Sequence, residues 1–194
     1  MTIPADHPKI KPAKIGVILA NLGTPDATDY WSMRKYLSQF LSDKRVVDYS
    51  AWLWQPLLQG IILTRRPFSS GKAYRSIWNN ELNESPLLTT TRLQANAVKK
   101  EVEKIYGNDV IVDFAMRYGN PSTESVIKNL KDQGVEKIVF FPLYPQYAGP
   151  TTATANDEAF RTLMKMNWQP SIRTVAAYFD NPLYINALAN SVKK

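Results

Sequence analysis

Arg117 and Tyr118 stand side by side where an apolar run ends. An arginine there can take a carboxylate in a forked geometry, and a tyrosine beside it can pack on an aromatic ligand or donate a hydrogen bond. The same pair can equally be architecture, with Arg117 capping a neighbouring helix and Tyr118 in the core. Residues 142–152, Pro-Leu-Tyr-Pro-Gln-Tyr-Ala-Gly-Pro-Thr-Thr, follow a second such run, Ile138-Val139-Phe140-Phe141. Their prolines stop ladder pairing, so a strand ends and Tyr144, Gln146 and Tyr147 come to its mouth. Carboxyl ends of parallel strands are where α/β proteins bind ligands.

A third group, Arg65-Arg66-Pro67 with Tyr74, Trp78 and Ser85, is basic and aromatic. It reads either as a solvated helical excursion or as a lip over a flat, anionic, apolar ligand. In the second case guanidinium groups would hold carboxylates and rings would stack on the ligand face. Asn21-Leu22-Gly23-Thr24-Pro25 lacks the second glycine, the lysine and the hydroxyl of a phosphate loop, so it reads as a strand-ending turn. Asp157 and Glu158 fall at a helix start, where carboxylates suit the dipole. His7 is the only histidine and lies in a proline-containing tail. No histidine base and no histidine metal site are expected from this chain.

The elements that would position these groups follow from periodicity. Residues 15–22 are apolar and β-branched, a buried strand closed by Gly23-Thr24-Pro25. Met33, Tyr36, Leu37 and Phe40 predict a helix over about 29–41. Ser85-Pro86 caps and opens a long helix ended by Gly107. Its stripe of Leu88, Thr91, Ala95, Val98, Val102 and Ile105 would pack on the sheet. Strands are expected at 110–116, 137–141 and 172–177. Helices are expected from Asn120-Pro121 to Gly134, over 156–166, and from Pro182 onward. That last helix meets no stop signal by Lys194, which predicts that it runs on. Strand–helix–strand in some thirty residues demands a parallel pair with a right-handed crossover. The fold class is therefore α/β, a Rossmann-like four-stranded parallel sheet with helices on both faces. Residues 1–13 form a tail, 14–177 the domain, and 178–194 the start of a connection.

Composition bounds the function classes. The chain has 194 residues, 44% of them hydrophobic, and no cysteine, which excludes thiolate metal or cluster ligands. Its formal charge of +7 suits anionic partners. No basic run exceeds two residues and no helix-turn-helix or zinc-finger spacing occurs, so nucleic acid is not expected as a partner. The tail is not a signal peptide. Residues 51–63 are apolar but broken by Gln55, Pro56, Gln59 and Gly60, too interrupted to span a bilayer. The segment 51–66 could touch a membrane peripherally, form a cleft lip, or be an ordinary half-buried helix.

Six pieces in order carry a resemblance. They are Gly16-Val-Ile-Leu-Ala-Asn-Leu-Gly-Thr-Pro25, Tyr36-Leu-Ser-Gln-Phe-Leu-Ser-Asp-Lys-Arg-Val46, Tyr74-Arg-Ser-Ile-Trp78, Ser85-Pro-Leu87, Ala115-Met-Arg-Tyr-Gly119 and Pro142-Leu-Tyr-Pro-Gln-Tyr147. Together they resemble the N-terminal half of the ferrochelatases, lyases that insert ferrous iron into a porphyrin in haem synthesis. The resemblance implies a chelatase-type fold of two similar domains, the second missing here. It implies that Arg66, Tyr74 and Ser85 fall where a lip binds the porphyrin, and that Leu22, Arg117, Tyr118 and Tyr144 fall on the cleft wall. It implies protoporphyrin or coproporphyrin as ligand, ferrous iron as substrate, and a cytoplasmic protein peripheral to the inner membrane. The family's catalytic histidine and glutamate have no counterparts here and are expected beyond Lys194, so the chain alone is expected to be inactive. Ala148 and Pro150 stand where the family often has serines. Gly149 stands where some members place a cluster cysteine, so no cofactor and no iron–sulfur cluster is expected. The alternative is a stand-alone tetrapyrrole-binding or carrier domain; a weaker one is another α/β small-molecule enzyme.

Overall fold

The computed structural model describes residues 13–193. The tail expected over 1–13, and His7 with it, lies outside these residues save for Ala13. Four strands, β1 (Lys14–Thr24), β2 (Val110–Gly119), β3 (Val135–Pro142) and β4 (Ser171–Thr174), form one parallel sheet in the order β2-β1-β3-β4. Around it lie α1 (Tyr30–Leu41), α2 (Ala51–Leu57), α3 (Leu63–Ile77), α4 (Pro86–Tyr106), α5 (Thr123–Asp132), α6 (Thr154–Met164) and α7 (Pro182–Val192).

Alternation along β1 assigns the two faces. Ile18 and Ala20 join Val126, Ile127, Leu130, Phe140, Ala155 and Ala159 in one core, so α5 and α6 cover that face. Asn21, one residue out of phase, donates from its amide to the Thr91 hydroxyl of α4 at 2.9 Å, so α4 covers the other. Helices thus lie on both faces, as the pattern predicts. A second core of Met33, Leu37, Leu58, Leu63 and Tyr118 joins α1 and α3 to the end of β2.

Several boundaries differ from expectation. β1 does not stop at Leu22. Gly23 takes φ +108°, which lets the ladder run on through Gly23–Tyr118 and Thr24–Gly119. β2 likewise extends to Gly119, so Arg117 and Tyr118 lie inside the strand. α5 starts at Thr123 and not at Asn120-Pro121, because Ser122 is the residue that caps it, accepting from the Ser125 N–H. A wide turn over Gly149–Ala153 brings α6 in at Thr154, earlier than expected. β4 is shorter, at four residues. The α4 stripe is buried at Thr91 and Ala95, but Ile105 is 71% exposed. β2 is an edge strand, so a helix lying over β1 and β2 has no further strand beneath its outer flank.

Residues 51–77 form one helical excursion. A π turn over Leu58–Ile62 joins α2 to α3. The wider turn lets Leu58 and Leu63, five apart, both reach 0% exposure. α1 is its anchor: Trp54 Nε1 donates to the Leu41 carbonyl at 2.7 Å, Gln59 to Ser38 at 3.1 Å, and Tyr30 and Arg34 both to the Leu63 carbonyl at 3.0 Å. Among the described residues no helix is long and apolar enough to cross a membrane.

Candidate functional site

Parallel topology puts the ends of β1, β2 and β3 on one edge of the sheet, and the residues singled out there take two different forms. Leu22 and Tyr74 are half-buried and pack against the core cluster that contains the buried Tyr118. Four rings link the excursion to the strand end: Tyr74 meets Tyr36 edge-on at 6.2 Å, Tyr36 stacks with Phe40 at 6.3 Å, and Phe40 meets Tyr118 edge-on at 5.3 Å. Such pairs add to simple burial and fix ring orientation. Tyr36 and Phe40 are the middle rings of this run, and in sequence they look like an ordinary helix face. Their i, i+4 spacing in front of a predicted strand end was the available signal.

Tyr118 is 1% exposed, and its hydroxyl donates to Asp43 at 2.8 Å. Arg117 is committed as well. Its Nη2 donates to Asp43 at 2.6 Å, its Nε to Thr154 at 2.7 Å, and its Nη1 lies 3.5 Å from Glu158. Its guanidinium carbon stands 4.5 Å from the centre of the Tyr118 ring. The forked carboxylate geometry available to an arginine here is thus taken up inside the protein. Asp43 and Thr154 are the residues the sequence did not flag, and Glu158 was read only as a helix-dipole carboxylate. Asp157, read only as a helix-dipole carboxylate, pairs with Arg45 at 2.8 Å.

Burial pushes the Tyr118 hydroxyl up to about 12, with the Asp43 carboxylate adding to it while Thr154 and Arg117 pull the other way. Burial also tends to raise the Asp43 carboxyl. The hydrogen bonds from Thr154, the Arg45 N–H and Tyr118, with the Arg117 charge, outweigh it and hold Asp43 below the usual carboxylate range. Tyr36 and Tyr144 are both pushed up, chiefly by burial.

Tyr144 packs on the α5–α6 core, and its buried hydroxyl has no protein partner among the described residues. A buried hydroxyl left so is costly, which favours a ligand atom or a water there. Beside it a groove of about 380 Å³ is lined by Gln146, Ala148, Thr151 and Tyr184. Thr151 and Thr152 donate to the carbonyls of Ala148 and Gln146, so their hydroxyls shape the turn. Ser85 is 2% exposed and caps α4, accepting from the Leu88 N–H at 3.2 Å. Arg66 is exposed on α3. The structure therefore brings Leu22, Tyr74, Tyr118 and Arg117 together and sets Tyr144 nearby. Arg66 and Ser85 belong to the excursion and to its exit.

A cleft of about 780 Å³ is lined mostly by polar and charged side chains, and of the residues expected to bind porphyrin it touches only Arg117. Asp43, Lys44, Arg45, Asp157 and Arg161 also line it. No three His, Cys, Asp or Glu side chains gather to hold a metal among the described residues.

The family model that matches residues 14–194 is described as Ferrochelatase. A protein named Ferrochelatase from Rhodobacter capsulatus is 62% identical over 192 residues, which is 98% of this chain and 55% of that protein. Proteins of the same name from Agrobacterium fabrum and Chelativorans sp. are 57% and 52% identical over 191 residues, 98% of this chain and 55% and 54% of theirs. The chain spans about half the length of the curated relatives it matches.

Proposed function

The chain belongs to the ferrochelatase family, and from that premise we propose that it supplies one wall and the lip of a porphyrin cleft in a protein that inserts ferrous iron into a porphyrin during haem biosynthesis. The observation that carries this reading is the run of four rings from Tyr74 to Tyr118, closed by Leu22 at the carboxyl edge of a parallel sheet. A flat apolar macrocycle needs such a wall, with the half-buried Leu22, Phe40 and Tyr74 as its face and the buried Tyr36 and Tyr118 as its backing, and its carboxylates need cations outside it. Arg66 is the cation for them on the lip.

Metallation removes two pyrrole protons and bends the macrocycle so that nitrogen lone pairs face the metal. A rigid wall gripping the ring out of plane lowers the cost of bending through binding strain. Proton transfer needs a group of near-neutral pKa, and the family's histidine with its partner glutamate suits it. We place those residues, and with them the proton and metal steps, outside these 194 residues, with iron as substrate. Protoporphyrin and coproporphyrin share the ring and the carboxylates, and either fits this division of labour. The site needs no cluster from this chain, which has no cysteine to hold one.

Titrating the chain with protoporphyrin is expected to give a saturable Soret shift with a dissociation constant of roughly micromolar order. Added ferrous iron is expected to give no metalloporphyrin spectrum with this chain alone. An absent shift would defeat the porphyrin reading. Iron insertion at a rate comparable with a full-length relative would defeat the division of labour.

The lip also carries Trp52 at 75%, Leu53 at 59%, Ile61 at 59% and Phe68 at 67% exposure, beside the exposed Arg65 and Arg66. We propose that this face rests on the cytoplasmic leaflet of the inner membrane, with rings at the headgroup level and Arg65 on anionic lipid. Co-sedimentation with vesicles containing anionic lipid is expected, weakened by salt and reduced about tenfold by Trp52→Glu together with Phe68→Glu. Equal recovery of wild type and double variant in the vesicle pellet would remove the proposal.

A further inference from the structure

We infer that Asp43 is a positioning residue for the porphyrin wall, the pin through which the α1–α2 loop fixes Arg117 and Tyr118. The inference rests on the porphyrin reading above. Asp43 is a carboxylate with a side chain only 9% exposed, held from four directions. Its Oδ2 accepts from Arg117 at 2.6 Å, from the Tyr118 hydroxyl at 2.8 Å and from the Thr154 hydroxyl. Its Oδ1 accepts from the Arg45 N–H at 2.8 Å. The donors come from β2, from the first residue of α6 and from the loop itself.

The two preceding residues hold the lip. The Leu41 carbonyl accepts from Trp54, and the Ser42 hydroxyl accepts from Gln55 at 3.1 Å. Residues 41–43 therefore tie α2 on one side and the strand end on the other. A wall that strains a macrocycle must not yield when the ring presses on it, and groups locked by neighbouring hydrogen bonds yield least. Each of the three nitrogens of Arg117 has a partner, so Arg117 is held as part of a surface and is not spent on ligand carboxylates.

Only a carboxylate can accept from all these donors at once. Asp43→Asn keeps the size but turns an amide NH₂ toward arginine, tyrosine or threonine donors. Soret titration at 10 °C, with the folded fraction checked by near-ultraviolet circular dichroism, is expected to show protoporphyrin binding weakened about 30-fold in Asp43→Asn. The dimethyl ester should lose the same factor, because the wall meets the ring and not its carboxylates. Asp43→Glu keeps the charge and should recover part of the affinity. Thr154→Val removes one donor to Asp43 and the acceptor of Arg117 Nε while leaving Arg117 Nη2 and Tyr118 on Asp43, so a loss of about threefold is expected, and it serves should Asp43→Asn not fold. Glu101→Gln on the far surface of α4 should bind as wild type.

Folded Asp43→Asn, or Thr154→Val in its place, binding protoporphyrin as wild type does would overturn the inference alone. In that case Asp43 only stabilises the fold. A wild-type chain that shows no saturable shift would instead overturn the porphyrin reading and this inference with it.

Discussion

Gly23→Ala is expected to cost more than about 4 kcal/mol in urea unfolding and to remove most soluble protein, since a domain of this size has only some 5–15 kcal/mol to lose. Gly23 has φ +108°, where L side chains are strained, and strain is the smaller part of the cost. A Cβ there would stand 1.8 Å from the Tyr118 carbonyl oxygen, 2.7 Å from its carbonyl carbon and 2.9 Å from its nitrogen. All three are backbone atoms of β2, and Gly23 is in register with Tyr118, so no rotamer change relieves the clash. Relief requires β1 and β2 to part where Leu22 and Tyr118 are set. Gly134 isolates the strain term. It has φ +85°, but nothing lies within 4 Å of its added Cβ. Gly134→Ala should therefore cost only about 1 kcal/mol. Similar unfolding midpoints for the two variants would show that the strand ends are not held as closely as described.

The sheet was readable because its strands are apolar, β-branched runs cut by glycine and proline, and because strand–helix–strand spacing admits only a parallel crossover. The Ser85 cap was readable because capping is local. Legibility failed where the deciding contact is distant or the period changes. Asp43 stands in an unremarkable Ser-Asp-Lys-Arg loop, and its partners are 74, 75 and 111 residues away. Without them Arg117 looks free to fork a ligand carboxylate. The lip was readable as apolar and interrupted, but not as two helices joined by a π turn. Leu58 and Leu63 bury at a spacing of five, which neither the helical nor the strand template seeks. Asn120-Pro121 resembled a helix start because proline suits the first turn, whereas Ser122 makes the capping bond. The partners proposed for the site, porphyrin above all, came from the six matched segments and not from any spacing.

Arg117→Met is expected to destabilise the chain by about 3–5 kcal/mol in urea unfolding, because it leaves one member of a buried pair uncompensated. The side chains of Arg117 and Asp43 are 12% and 9% exposed, so water does little to screen what remains. Asp43 would keep the Tyr118 and Thr154 hydroxyls but lose its countercharge. Glu158 would keep Arg161. Arg117→Lys should recover only part of the loss, since a point charge cannot serve Asp43, Thr154 and Glu158 together. The Asp43→Ala, Arg117→Met double variant should be less destabilised than the sum of the singles by more than about 2 kcal/mol, as expected of groups in direct contact. Additive losses would show that the pair is not formed in solution. Asp43 has its carboxyl held below the ordinary range, so its contribution is fully present at neutral pH. It is lost as acidification carries the pH below the unfolded carboxyl value and through the folded one. The functional consequence separates wall from lip. Arg117→Met should weaken a porphyrin diacid and its dimethyl ester equally, because Arg117 is spent inside the protein. Arg66→Ala, on the exposed lip, should weaken the diacid alone. A diacid-selective loss in Arg117→Met would mean that its fork opens toward the ligand, and that the closed network belongs only to the unliganded chain.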